Sequence, residues 1–366
     1  MTVASTRWIK GPLWDGFFML SALWLAPIVW FVGDVSPVYL VLTLAFWIGH
    51  RVSSSYLAYC TSSYRPLLTS QRTRFIWVPL AIAAAVLVFL VPGDDVWPWP
   101  RATRVLALVI IDAFLITYHF ASQHYGVLSL YRLRAGHARD ARAKRIDRWF
   151  ALGVGGVLVF LAELLAGTLF FLDDLRGLVD ASLARALGTV VVVAATAAVL
   201  AFDRASMSLP RALYLTSVSM LVLAALWVNP LVFVVLWTVQ HWTAATGLAT
   251  VVARNDVEPG SSRWYRAWHA LSRRPAVLLA FLVVVSAALF PLMEVEAAGD
   301  VGPLDGTFAG LDSLVDALAA SAFAPLLVAF AFVTAFVHYQ LDRAVFRFSH
   351  PDVRRAAALE ESARAP

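Results

Sequence analysis

A chain of 366 residues that is 60% hydrophobic and 14% charged, with a mean hydropathy of +0.74, is too apolar for a soluble domain, where roughly 45–50% apolar is ordinary. Its 29 basic and 24 acidic residues cluster between apolar runs, so the formal charge of +5 reports topology first, and nothing in it points to nucleic acid. The one cysteine, Cys60, excludes an internal disulfide and a thiolate zinc ribbon.

The expected fold is therefore an all-α, polytopic transmembrane helix bundle. Apolar windows approaching the roughly 20 residues of a membrane helix predict about ten spans. The first, Pro12 to Val32, follows Arg7 and Lys10 as a signal peptide would, but it lacks a small-residue cleavage site and is read as retained. Next come Val38 to Cys60, Phe75 to Val91, Val105 to Leu130 and Phe150 to Leu172. Then follow Ala186 to Phe202, Ala212 to Val228, Leu231 to Ala253, Ala276 to Leu292 and Ala322 to Leu341.

Loop charges give these spans a direction, because cytoplasmic loops hold the excess of Lys and Arg. With the N-terminus inside, 24 of the 29 basic residues fall on inner segments, four fall on outer ones, and Arg51 lies within a span. Both termini are then cytoplasmic. Residues 1–348 read as one transmembrane domain and 349–366 as a polar tail forming a frayed surface helix. The Gly-rich acidic stretch from Met293 to Ala317 is expected to hold a short interfacial helix. His137, His269 and His350 fall in loops or the tail and read as solvated.

Five histidines lie inside apolar runs: His50, His119, His124, His241 and His338. An ionisable group at membrane depth is costly and normally faces the bundle interior. The four helices that carry them all run from outside to inside. His50, His119 and His241 precede the loop arginines Arg65, Arg132 and Arg254 by 15, 13 and 13 residues, about 20 Å along a helix. Imidazoles from several helices at one depth suit a transition metal. A non-haem iron leads, with copper or zinc open.

Residues four apart share a helix face, which places Ser54 beside His50, Gln123 beside His119 and Asp342 beside His338 as acceptors for a ligand's second ring nitrogen. Asp342 serves equally well as a partner for Arg343. Gln240, next to His241, joins this supporting set. His119 and His124 are five apart and diverge by about 140° on a regular helix. They reach one ion only through a π-bulge; otherwise His124 shuttles protons or faces a second metal. Tyr118 and Tyr125 flank them as candidate catalytic groups, and Glu163, deep in the fifth run, reads as a protonated core carboxyl.

The histidine words WIGHRV (His50), YHFASQHYG (His119), TVQHWTAATG (His241) and VHYQLDRAVFR (His338, Asp342) stand in an order that resembles the membrane-embedded Brp/Blh family, the β-carotene 15,15′-dioxygenases that make retinal. That family carries two histidines at i and i+4 in the third word, where this chain has His241 and Ala245, and a carboxylate after the first histidine that is missing here. The resemblance implies a related metal-dependent membrane oxygenase, in a bacterial inner membrane, acting on a carotenoid, terpenoid or lipid, with an electron donor that the sequence does not name. Two other classes remain open. One is a proton- or metal-coupled transporter. The other is a haem-binding electron-transfer protein.

Overall fold

Lipid offers a backbone amide no hydrogen-bond partner, so an apolar run entering it closes its bonds on itself as a helix. Each of the ten runs is helical over most of its length in the computed structural model, which describes residues 8–32, 36–137, 140–167, 169–228, 230–258, 260, 262–294, 312–348 and 350–357. In chain order the helices are α1 (Pro12–Phe18), α2 (Ser21–Val32), α3 (Ser36–Cys60), α4 (Arg65–Ser70), α5 (Thr73–Leu90), α6 (Arg101–Arg134), α7 (Ala141–Ala166) and α8 (Asp173–Gly177). They continue as α9 (Ala181–Phe202), α10 (Leu209–Trp227), α11 (Pro230–Arg254), α12 (Arg263–Ser272), α13 (Pro275–Glu294), α14 (Asp312–Ala319), α15 (Ala324–Val345) and α16 (Pro351–Ala356). No strand occurs among the described residues.

Eight of these helices are long and apolar enough to cross a membrane, or nine if α1 and α2, bent by 54°, count as one span. The expected tenth, α3, forms over 25 residues but stays outside that count, because His50, Arg51 and Ser53–Ser55 dilute its lower half. Of the stretch from Met293 to Ala317, residues 295–311 lie outside the described residues, and α14 begins just after them.

By internal packing the chain forms two compact units that interleave along the sequence. One comprises Met1–Val35, Thr117–Leu248 and Leu359–Pro366; the other comprises Ser36–Ile116 and Ala249–Ala358.

In the first unit the entry into α1 has a local cause. The buried carboxylate of Asp15 accepts the amides of Ile9 (2.7 Å), Lys10 (3.1 Å) and Gly11 (3.4 Å), folding the incoming chain over the first turn. The Tyr131 hydroxyl donates to the same carboxylate at 3.2 Å. α2 then meets α11 through Ser21 Oγ and Thr243 Oγ1, 2.8 Å apart. Gly247 is required nearby, since a Cβ there would stand 2.5 Å from the Cβ of Phe18. α10 lies in the middle of this unit, with Tyr214, Leu215, Val218 and Val222 fully buried against α2, α7 and α9.

In the second unit α3 runs against α13 at backbone contact. A Cβ on Gly49 would sit 2.7 Å from the Leu282 carbonyl oxygen, and the Ile48 amide donates to Ser286 Oγ at 3.1 Å. Small residues permit this closeness, which dispersion rewards when no hydrophobic force separates helix from lipid. α15 packs on both α3 and α5, burying Val86, Leu90, Leu108, Phe332 and Phe336.

Of the tail, residues 358–366 lie outside the described residues; in α16 the expected surface helix is instead packed, with Val353, Ala356 and Ala357 buried and Asn255 donating to the Ala357 carbonyl at 3.5 Å. His269 is likewise not solvated. It is buried at the end of α12, with Nδ1 3.3 Å from Asp256 Oδ2. The other oxygen of Asp256 accepts the Ser63 amide (2.8 Å) and hydroxyl (2.9 Å), which holds the loop after α11 to the end of α3. A buried polar group keeps such partners, and a lone loop histidine in the sequence does not announce them.

Candidate functional site

Each unit contains one pair of buried histidines in ring contact. In the first unit, His119 on α6 and His241 on α11 have ring centroids 4.8 Å apart at 79°, and they are 7% and 1% exposed. Phe120 stacks on His241 at 3.7 Å and 18° and is itself backed by Trp237 at 4.3 Å. Gln123 donates its amide nitrogen to the His241 carbonyl at 3.1 Å. That bond turns the amide oxygen of Gln123 toward His241 Nδ1, to which it is hydrogen-bonded. An amide oxygen only accepts, so Nδ1 carries the proton and Nε2 presents the lone pair.

The second unit repeats this logic with other groups. His50 on α3 and His338 on α15 have ring centroids 4.6 Å apart at 87° and are 3% and 1% exposed. His338 Nδ1 lies 3.2 Å from Ser54 Oγ and 3.4 Å from Asp342 Oδ1. Ser54 donates to the Arg51 carbonyl at 3.3 Å, and its oxygen can accept the Nδ1–H of His338, a tautomer in which Nε2 carries the lone pair. Ser53 Oγ donates to the His50 carbonyl at 2.7 Å.

The helical spacing rule therefore found the acceptors but only one of three partners. Asp342 stands beside the histidine of its own helix, 3.4 Å from His338 Nδ1. Ser54 and Gln123 instead reach across to a histidine on the neighbouring helix, His338 and His241. Gln240 is buried, and its side chain meets Tyr214 and no histidine.

His124 takes another direction. α6 is α-helical throughout, with no π-bulge between His119 and His124, so the two rings diverge. His124 Nδ1 pairs with the Tyr214 hydroxyl at 2.9 Å, and the ring lies over Gly155, where a Cβ would come within 2.8 Å of it. A π-turn does occur, on α7 at Gly153–Val157, and it forms part of the surface that receives His124. Tyr118 is 47% exposed and Tyr125 is half-buried. Glu163 is buried and accepts from Thr117 Oγ1 at 3.3 Å. Among residues that the sequence left without a role, Asp112 accepts from the Tyr339 hydroxyl at 3.0 Å, and Arg51 donates to the Ala331 carbonyl and Thr334 Oγ1, both at 3.4 Å.

Two perpendicular imidazoles in contact, with one Nδ1 in each pair committed to an acceptor, can offer nitrogen lone pairs to a metal of the iron, copper, zinc group. The pairs include no thiolate, and the one carboxylate beside them, Asp342, is engaged with an imidazole. Comparison with family models, curated proteins and solved structures gives no match.

Proposed function

We propose that His119 and His241 in one unit, and His50 and His338 in the other, are transition-metal ligands in a membrane-embedded, non-haem iron oxygenase whose substrate is an apolar molecule such as a carotenoid, terpenoid or lipid. The observation that carries this reading is the shared placement of polar groups: Gln123 at Nδ1 of His241, and Ser54 with Asp342 at Nδ1 of His338, an arrangement that favours the tautomer with its lone pair on Nε2. Ligating histidines are characteristically supported in this way, whereas a merely satisfied core histidine has no need of the same arrangement twice. A bound iron would supply dioxygen activation. The protein's own residues orient the imidazoles, and in the first unit Phe120, backed by Trp237, covers the His241 ring with apolar surface, where exclusion of water limits side reactions of reactive intermediates. The order of histidine words shared with the Brp/Blh family supports a long apolar substrate. Cleavage of β-carotene itself is the narrowest form of this proposal, and Ala245 in place of that family's second histidine weighs against it.

The competing reading is a proton- or metal-coupled transporter, and it draws on the intramembrane carboxyls Glu163 and Asp112. Elemental analysis and an absorption spectrum of the detergent-purified protein separate these. Iron bound in a fixed ratio to the chain, with no Soret band, supports the oxygenase. A Soret band means haem. Protein that retains no metal, and does not take up iron on reconstitution, removes the oxygenase reading.

A further inference from the structure

We propose that the end of the first unit where α7 begins is a docking face for the headgroups of anionic phospholipids, a role independent of the histidines. α7 opens with Arg142, Lys144, Arg145 and Arg148, all exposed. Its one acidic residue in that stretch, Asp147, is fully buried, held by Arg132 and, at 2.6 Å, by Arg211. The next nearby carboxylate, Asp203, also points inward, 2.5 Å from Arg211 and bonded to Ser206 Oγ at 2.6 Å. These two acids face in and the bases face out, so neither Asp147 nor Asp203 neutralises the exposed cations. Lys144, Arg145, Arg148 and the exposed Arg204 have no ion-pair partner among the described residues, and Arg142 makes one bond, to the Phe202 carbonyl at 3.4 Å.

The placement also opposes the helix itself. A helix N-terminus carries partial positive charge and favours acidic side chains, yet the first turn of α7 has none, and only the N-cap Asp140 offsets the dipole. Two cations in that turn, Arg142 and Lys144, with Arg145 just after it, weaken the helix unless an anion binds them.

Spacing and neighbours identify the anion's source. Arg142, Arg145 and Arg148 follow one another at intervals of three, Lys144 and Arg148 are four apart, and Trp149 lies four beyond Arg145, so basic and aromatic residues share adjoining faces. Trp149 is 70% exposed and Phe202, at the end of α9 beside Arg142, is 72% exposed. Aromatic rings at the acyl boundary with cations reaching outward match a phospholipid surface. A site for free phosphate has no use for the two rings.

The test is delipidation followed by rebinding from vesicles of phosphatidylcholine containing about one-third phosphatidylglycerol, with headgroup analysis of the lipid retained. The expected result is enrichment of phosphatidylglycerol about fivefold over the vesicle ratio, falling as salt is raised. Enrichment should vanish in the quadruple variant Arg142→Gln/Lys144→Gln/Arg145→Gln/Arg148→Gln. Should that variant not fold, the pairs Arg142→Gln/Arg145→Gln and Lys144→Gln/Arg148→Gln should each lose about half of the enrichment. Retained lipid at the vesicle ratio, unchanged enrichment in the variants, or displacement of phosphatidylglycerol by inorganic phosphate would overturn the assignment.

Discussion

Gln123 has one amide and uses both ends of it on His241, the nitrogen on the carbonyl and the oxygen on Nδ1. Removing it frees the ring to rotate and to change tautomer, so Gln123→Ala should weaken metal affinity about 10- to 100-fold, the usual cost of losing such a partner, while the protein stays folded. Asp342→Asn should do the same for His338, and titration of the apo-protein with ferrous iron reads both. Equal affinity in either variant would mean that these contacts only fill space. In the loop before α6, Asp94 is exposed and accepts from the buried Arg104 at 2.8 Å and from the Arg101 amide at 2.8 Å. The Arg104 hydrogen bond, ahead of the Arg101 amide, holds its carboxyl below the usual carboxylate range. A lowered folded-state pKa gives stability that is present above the unfolded value near 3.8 and is lost as pH falls through the folded one. Thermal unfolding from pH 6 down to pH 3 should therefore show an acid-labile component that Asp94→Asn removes. An identical pH profile in that variant would contradict the role given to this loop.

Among the elements, close approach and buried charge hold the most. Gly49→Leu would drive a side chain into the Leu282 carbonyl and separate α3 from α13, so it should lower the melting temperature far more than the same change at Gly126, where a Cβ meets nothing within 4 Å. Asp147 is bonded to two buried arginines, and breaking such a group by removing one partner typically costs about 3–5 kcal/mol. Asp147→Ala should accordingly unfold well below the wild type in a detergent melt; a shift within error would show the cluster to be dispensable. The ten helical runs were legible because lipid enforces a long apolar stretch on any helix that crosses it. The folding of residues 9–11 over the start of α1 was not, since it arises from Asp15 capturing three upstream amides, a contact that no apolar window registers. Nor was the π-turn at Gly153–Val157, where glycines signal freedom without saying how it is used. The buried state of His269 depends on Asp256, 13 residues away, beyond any helical spacing rule.

At the scale of the whole molecule, the chain forms two compact units that interleave along the sequence, and residues 351–357 pack into one of them. Hydropathy marks which segments are buried in lipid, not which segments bury each other, so this division leaves no trace in composition. The histidines were legible as a set, because an imidazole in an apolar run is expensive wherever the helix faces. Which rings pair, and that His124 pairs with Tyr214 instead, depended on rotation about each helix axis and on contacts between helices. The central claim is that the two histidine pairs bind metal. The most direct measurement is iron content per chain in purified wild type and in His50→Ala, His119→Ala, His241→Ala and His338→Ala, with the loop variant His137→Ala as control. Stoichiometric iron without a Soret band in the wild type and control, lost at least about tenfold in the four variants, is the predicted result; iron absent from the wild type, or equally retained in all six proteins, would contradict it.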